Sequence, residues 1–169
     1  MKGVPTGNWY CDRCAVLVQD RSKKCTDIKC LLCPDLQGML KCVDQKAKTW
    51  AHVVCVNWNP DVYFTDHTKS AIGGQLNQQR FEINCDYCRI GAGKGACIQC
   101  DSPGCGRSYH VRCAVRRGII QEWEKMEDLL GDAVDEHFMP VFCPKHQKDG
   151  YKVYKQKAAN QTKGSTGKG

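Results

Sequence analysis

The sequence predicts a small α+β fold that zinc ions stabilise, built from short two-stranded sheets and loops. Two observations lead to this fold class. The 169 residues include 14 cysteines, many of them separated by two residues from another cysteine or from a histidine. Without the cysteines, apolar residues make up roughly a third of the chain, which is thin for a self-sufficient core. A structural zinc site can supply the missing stability, roughly 10–16 kcal/mol of apparent binding free energy.

Disulfide bonds are the alternative use of so many cysteines. A secreted disulfide scaffold begins with a signal peptide, but the opening MKGVPTGNWY lacks the apolar segment of one. No stretch approaches the roughly 18 apolar residues of a membrane-spanning helix. Disulfides would also leave His52, His110 and His146, each close to a cysteine, without an explanation. We therefore expect zinc and a reducing compartment, the cytosol or the nucleus.

The charge distribution points to a polyanionic partner. The chain carries a formal net charge of +7. Basic residues prevail in residues 1–50, 85–120 and 141–169, whereas residues 121–140 contain seven acidic residues and one lysine. Basic surfaces separated by one acidic segment suggest a polyanion as one partner, alongside a basic partner.

Residues 1–24 contain an incomplete metal site and a polar linker. The pair Cys11-x2-Cys14 follows Trp9 and supplies only half of a tetrahedral site. The other ligands would come from Cys25, from another chain or from a part of the parent protein outside this sequence. Two free thiols are an equally good interpretation of the pair.

Residues 25–65 hold the first complete set of ligands. Cys30-x2-Cys33 is followed by His52-x2-Cys55, which gives one zinc ion four ligands in two pairs. This spacing predicts a zinc knuckle with a short strand near Leu40. Trp50, beside His52, is interpreted as a core residue rather than as an aromatic contact for a ligand.

Residues 66–84 connect the knuckle to a larger unit, residues 85–146, that provides ligands for two ions. Three cysteines, Cys97, Cys100 and Cys105, compete for two of these ligand positions. We select Cys100 and Cys105 and interpret Cys97 as a small buried apolar residue on a strand. The eight ligands are Cys85, Cys88, Cys100, Cys105, His110, Cys113, Cys143 and His146.

An acidic insertion, residues 121–138, interrupts this unit. Trp123, Met126, Leu130 and Val134 recur at helical spacing, which predicts a helix that packs one apolar face on the zinc unit. Residues 147–169 follow with six lysines, four glycines and few aliphatic residues. Such a composition predicts a disordered basic tail, either an arm for nucleic acid or a solubilising end.

The ligand order resembles that of the extended PHD finger, in which a zinc knuckle precedes an atypical PHD finger. The matching stretches are Cys30-Leu-Leu-Cys33-Pro34, Trp50-Ala-His52-Val-Val-Cys55, Gly95-Ala-Cys97-Ile-Gln-Cys100, Tyr109-His110-Val-Arg-Cys113-Ala114 and Cys143-Pro-Lys-His146. The opening Val4-Pro5-Thr6-Gly7-Asn8-Trp9-Tyr10-Cys11 looks like the end of an ordinary PHD finger. Residues 1–24 then correspond to the remnant of a first finger and a linker in a PHD–zinc knuckle–PHD cassette.

The resemblance implies a cross-braced arrangement with three zinc ions, and a fourth if the Cys11 and Cys14 site is completed. The knuckle would use Cys30, Cys33, His52 and Cys55. One ion of the finger would bind Cys85, Cys88, His110 and Cys113. The other would bind Cys100, Cys105, Cys143 and His146.

The resemblance also implies a nuclear, non-enzymatic chromatin reader within a histone-modifying or transcription-regulating complex. Such a module binds nucleosomes through a core histone tail and DNA. Acidic side chains of the insertion, Glu122, Glu124, Glu127 and Asp128, would meet histone lysines. The predicted DNA contacts are Lys23, Lys24, Arg112, Arg116, Arg117, Lys152 and Lys155.

Two other functions compete with this interpretation. A RING-type ubiquitin ligase is also cross-braced, but RING fingers place a histidine in the second ligand pair, whereas here His110 is the fifth ligand of the finger. A purely structural scaffold for protein–protein interactions would use the same zinc sites. Catalytic zinc would need an open coordination position, and all three predicted sites have four protein ligands.

Overall fold

Three separate two-stranded antiparallel sheets alternate with short helices in the computed structural model, which describes residues 7, 8, 10–90, 93–120, 125, 126, 130 and 139–165. The predicted α+β fold class is confirmed. The strands are β1 (Leu40–Asp44), β2 (Thr49–His52), β3 (Val62–Phe64), β4 (Ile72–Gly74), β5 (Cys97–Gln99) and β6 (Ser108–His110). The helices are α1 (Asp12–Gln19), α2 (Val53–Trp58), α3 (Gln79–Glu82), α4 (Val111–Arg116) and α5 (Gln147–Ser165), with a 3-10 turn at Cys25–Asp27.

The knuckle is built on the β1–β2 hairpin. Leu40 pairs with His52 and Cys42 with Trp50, and the register shifts between Cys42 and Asp44. Helix α2 begins directly after His52, so Cys55 lies in its first turn. Trp50 is buried, as expected of a core residue.

The β5–β6 hairpin gives the finger the same local arrangement. Cys97 pairs with His110 at the end of β6. Helix α4 begins directly after His110, and Cys113 lies in its first turn. In both units, therefore, a hairpin places a histidine at the end of its second strand, and the next helix places a cysteine one turn later.

The two units share one core. Helix α2 packs against α4, and the Ala96 N–H donates to the Leu32 carbonyl at 3.0 Å. Gly95 makes this approach possible, because a Cβ at this position would lie 2.8 Å from the Cys33 Cα and the φ angle is +149°. Buried side chains from both units line the core, among them Leu32, Leu40, Val56, Ile98, Val111 and Ile119.

The segment between the units is anchored to both of them. In the β3–β4 hairpin, Tyr63 pairs with Gly73. The guanidinium group of Arg80, in α3, donates to the Asp61 carboxylate at 2.7 Å and to the Cys97 carbonyl at 3.2 Å. The connector therefore reaches the outer edge of β5.

The prediction of a disordered tail over 147–169 is wrong for residues 147–165, which form helix α5. The buried Tyr151 ring packs edge-on against Phe142, with ring centroids 4.9 Å apart. The Gln147 side chain donates to the carbonyls of Gly118 and Ile119. Lysine and glycine content predicted disorder, but the packing of Tyr151 and Tyr154 and the hydrogen bonds of Gln147 hold the helix against the core.

Several predicted features lie outside the described residues. These are Trp9, the acidic side chains Glu122, Glu124, Glu127 and Asp128, and most of the 121–138 insertion. Two residues of the predicted apolar stripe, Met126 and Leu130, are described and fully buried. Within the described part of the chain, no helix combines the length and the apolar character needed to cross a membrane.

Candidate metal centres

The knuckle brings its four predicted ligands together. Cys30 and Cys33 come from the loop before β1, His52 ends β2, and Cys55 lies in α2. Cys33 Sγ lies 3.3 Å from His52 Nδ1 and 3.7 Å from Cys55 Sγ. A tetrahedral zinc site has ligand–ligand separations of about 3.8 Å between two sulfurs and about 3.6 Å between sulfur and nitrogen. The observed spacing therefore fits a zinc ion.

Hydrogen bonds around the knuckle cluster orient its ligands. His52 Nε2 lies 2.8 Å from the Gln37 carbonyl oxygen, which can only accept a hydrogen bond. The proton therefore resides on Nε2 and leaves Nδ1 free to bind the metal. The backbone N–H groups of Leu32 and His52 donate to Cys30 Sγ, which stabilises a thiolate there.

The second cluster joins the beginning of the finger to its hairpin. Its members are Cys85, Cys88, His110 and Cys113. His110 Nδ1 lies 3.5 Å from Cys88 Sγ and 3.9 Å from Cys113 Sγ. The His110 N–H donates to Cys85 Sγ at 3.4 Å. The second cluster therefore repeats the knuckle: a histidine Nδ1 faces the sulfurs, a cysteine comes from the helix, and the histidine N–H donates to a cysteine sulfur.

The third cluster consists of Cys100, Cys105, Cys143 and His146. His146 Nδ1 lies 3.4 Å from Cys143 Sγ and 3.6 Å from Cys100 Sγ, and Cys105 Sγ lies 4.0 Å from Cys143 Sγ. Cys97 is absent from the cluster; it is fully buried on β5, and its thiol donates to the Ile83 carbonyl. The ligands of the second and third clusters alternate along the chain, which is the cross-braced arrangement.

The closely spaced thiols of a cluster cannot all ionise unless a cation lies between them. Hydrogen bonds from Cys33 and Cys55 hold the pKa of the Cys30 thiol far below its ordinary value. Donation to Cys30 raises the pKa of Cys33 to about 12. The second cluster behaves in the same way: the hydrogen bond between Cys113 and Cys85 lowers the pKa of Cys85 and raises that of Cys113. A dication is needed for all three thiols of a cluster to ionise together.

The ligand atoms of each group lie within 4.8 Å of one another. The three groups are compatible with three zinc ions, as predicted. In each group, four protein ligands would fill the tetrahedral coordination of a zinc ion, which is the arrangement of a structural site.

The predicted half-site at Cys11 and Cys14 gains no further ligands in the described part of the chain, where no group of three or more ligands includes either residue. Cys11 precedes α1 and Cys14 lies within it. A hydrogen bond with Cys11 raises the pKa of Cys14. The nearby Cys25 is exposed.

The predicted DNA contacts lie in different parts of the molecule. Lys23 and Lys24 are exposed before the 3-10 turn, and Lys152 and Lys155 are exposed on α5. Arg117 is exposed at the end of α4. Arg112 and Arg116 both bind Asp35 of the knuckle, at 3.0 and 2.9 Å. Sequence reasoning missed Asp35, because no local pattern indicates a partner so far along the chain.

A family model described as a PHD-zinc-finger-like domain matches residues 28–146. The human E3 ubiquitin-protein ligase Jade-2 is 35% identical over 150 residues, which cover 87% of this chain and 17% of that protein. Human Protein AF-17 is 33% identical over 131 residues, which cover 73% of this chain and 11% of that protein. The chain thus spans less than a fifth of these relatives.

The crystal structure of the PZP (PHD–zinc knuckle–PHD) of zebrafish PHF14 superposes with a TM-score of 0.61 at 30% identity. The match covers 89% of this chain and 75% of that one. The resemblance to an extended PHD finger in such a cassette is confirmed.

Proposed function

Because this chain belongs to the PHD-zinc-finger-like family, we propose that it is a non-catalytic chromatin reader that binds nucleosomes through a core histone tail and DNA. We place it in the nucleus, within a histone-modifying or transcription-regulating complex. The observation that carries the proposal is the set of three saturated zinc clusters on a PZP-like fold. Saturated clusters leave no coordination position for a substrate, so they favour a binding role.

The outer edge of β5 is the surface best suited to a histone tail. The N–H groups of Ser108 and His110 donate to Asp86 and Cys85, away from β5. Their antiparallel partners Gln99 and Cys97 therefore direct their backbone groups to the other edge. The Cys97 carbonyl already accepts a hydrogen bond from Arg80. The backbone N–H and carbonyl of Gln99 can pair with an extended histone segment.

A cleft of about 190 Å³ beside this edge provides side chains for recognition. The amide nitrogen of Asn59 is buried in its wall and has no hydrogen-bond partner among the residues that the structure describes. It can donate to a carbonyl of the bound peptide. Asp101, which also lines the cleft, supplies a carboxylate for a lysine or arginine side chain.

Titration of peptides from the core histone tails against the full chain tests this part of the proposal. Asp101→Asn keeps the oxygen that accepts from the Val141 N–H but removes the charge. We expect it to weaken binding of a basic peptide about five- to tenfold, whereas the exposed Glu82→Gln should change the affinity less than twofold. No binding of any tail by the native chain would overturn the histone proposal.

DNA binding is supported by the basic composition and by the exposed Lys23, Lys24, Arg117, Lys152 and Lys155. Duplex binding should weaken linearly on a plot of log affinity against log salt, with a slope of about −0.9 per phosphate neutralised. A flat salt response would exclude an electrostatic DNA interface.

Ubiquitin transfer is a second candidate, because one relative is named an E3 ubiquitin-protein ligase. The shared region is a small part of that protein, and the ligand order with His110 fifth in the finger favours a PHD finger over a RING. A discharge assay with ubiquitin-charged conjugating enzymes separates the two functions. Accelerated discharge by this chain would replace the reader proposal with a ligase.

A further inference from the structure

A cationic cleft lies between the two zinc loops of the finger. Its volume is about 470 Å³, and four basic side chains line it: Arg89, Arg107, Arg117 and Lys145. The acidic residue Asp86 and the aromatic residue Tyr87 also line it. Four positive charges against one negative charge make this a strongly electropositive concavity.

Zinc coordination holds the cleft in shape. Asp86 and Tyr87 lie between the ligands Cys85 and Cys88, and Arg89 follows directly. Lys145 lies between Cys143 and His146. Arg107 precedes β6, and Arg117 follows α4. Segments that are distant in sequence are therefore held in place around the cleft before a ligand binds. This reduces the conformational entropy lost on binding.

The four cations retain hydrogen-bonding capacity for a ligand, although Arg107 also hydrogen-bonds the Tyr109 side chain. All four are exposed, and none forms an ion pair with an acidic side chain of the described residues. The Asp86 carboxylate accepts a 2.7 Å hydrogen bond from the Ser108 N–H, so part of its capacity is already used. Arg112 and Arg116, by contrast, are bound to Asp35.

We propose that this cleft binds the phosphodiester backbone of DNA. The inference rests on the proposed function and assigns its DNA contact to a surface of which only Arg117 was predicted from the sequence. One guanidinium group can donate two parallel hydrogen bonds to the oxygens of a phosphate, and three arginines lie in the cleft. Tyr87, which is 44% exposed, can pack against a sugar or a base at the rim.

DNA suits the cleft better than an acidic peptide. Duplex DNA carries one negative charge per roughly 1.7 Å of axis, a density that can engage four neighbouring cations at once. Few peptides present so many carboxylates in so short a span. An acidic peptide is therefore the competing ligand in the test.

The test compares two variants that lose the same charge. The cleft variant is Arg89→Gln, Arg107→Gln and Lys145→Gln, and the control is Lys29→Gln, Lys46→Gln and Lys48→Gln, three exposed lysines of the knuckle. Fluorescence anisotropy follows binding of a labelled duplex to the full chain across a salt series. We expect the cleft variant to bind at least tenfold more weakly and its salt slope to shrink by about 2.7, three contacts at 0.9 each. The control should change the affinity less than threefold.

The possible results separate the two proposals. If the native chain binds no DNA, both the DNA part of the proposed function and the cleft assignment fall. If it binds DNA but both variants weaken equally, or the cleft variant is unaffected, only the cleft assignment is overturned. If the cleft variant weakens binding of a poly-glutamate peptide but not of DNA, the cleft binds acidic proteins and the DNA assignment is overturned. Zinc content checks folding, and single Arg89→Gln and Lys145→Gln chains replace a misfolded triple variant.

Discussion

Asp35 of the knuckle accepts a 3.0 Å hydrogen bond from Arg112 of the finger, 77 residues later in the chain. Arg116, one turn further along, binds the same carboxylate at 2.9 Å. The Asp35 side chain is only 10% exposed, so both arginines converge on a nearly buried charge. The link fixes the knuckle to the finger beside the packed helices α2 and α4.

Loss of the Asp35 charge should loosen this link. Asp35→Asn keeps the shape and removes the charge, and we expect it to lower the free energy of unfolding by about 1–2 kcal/mol, since the two arginines remain partly solvated. Thermal unfolding of the zinc-loaded protein would measure the change. Asp20→Asn removes the charge of an exposed pair with Lys23 but keeps the oxygen that accepts from Ser22, so it should lower the free energy of unfolding by less than about 0.5 kcal/mol. Equal effects would contradict a special role for Asp35.

The same contact predicts a dependence on pH. Burial alone would raise the pKa of Asp35, but the Gln37 N–H and the Arg112 guanidinium outweigh it and hold the pKa below its ordinary value. The folded protein therefore binds this proton less readily than the unfolded chain. The contribution is fully present above the unfolded pKa of about 3.9 and is lost as the pH falls through the lower folded pKa. The stability difference between native protein and Asp35→Asn should shrink over that range, which denaturant unfolding at each pH would show.

Metal analysis distinguishes ligand cysteines from buried ones. The native chain should contain three zinc ions, with a fourth only if a further partner completes Cys11 and Cys14. Cys105→Ala should remove one ion, because Cys105 belongs to the third cluster. Cys97→Ala should retain all three, since Cys97 belongs to none of the three clusters, although its thiol also lies within hydrogen-bond reach of Cys85. A native content of one or two ions would contradict the ligand assignment.

Gly95→Ala should destabilise the contact between knuckle and finger. A Cβ at position 95 would press on Cys33, and the φ angle of +149° disfavours any side chain. We expect a loss of more than about 2 kcal/mol of stability. Gly106→Ala is the matched control, because a Cβ there meets open space. Chemical denaturation of both variants provides the comparison.

Tyr151→Ala should release helix α5 without unfolding the zinc core. Tyr151 is buried against Phe142, whereas the neighbouring Lys152 is exposed. Amide hydrogen exchange should show faster exchange across 147–165 in the variant and unchanged protection in β5 and β6. Lys152→Ala should leave both regions as they are. Unchanged exchange in Tyr151→Ala would mean that other contacts hold the helix.

The metal ligands were predictable from the sequence because each pair is a local pattern. A spacing of two residues places both side chains of Cys30 and Cys33 on one turn, whatever the remaining chain does. The contact of Asp35 with Arg112 and Arg116 carries no such signal, since it depends on how two units pack. The cationic cleft was missed for the same reason: Arg89, Arg107 and Lys145 converge only after zinc has folded their loops.

Helix α5 was missed because its prediction relied on average composition rather than on individual residues. Composition described residues 147–169 as a whole and therefore predicted disorder. Tyr151 packs on Phe142, and Gln147 donates to the Gly118 and Ile119 carbonyls, so individual contacts anchor the helix to the core. An average over lysines and glycines cannot detect such contacts.

The alternating ligands of the second and third clusters have a consequence for a cleaved chain. Cys100 and Cys105 lie before the 121–138 insertion, and Cys143 and His146 lie after it, yet all four belong to one cluster. A protease that cuts the insertion therefore produces two fragments that each retain half of the same zinc site. The fragments should migrate together on a native gel and separate only when a chelator removes the metal.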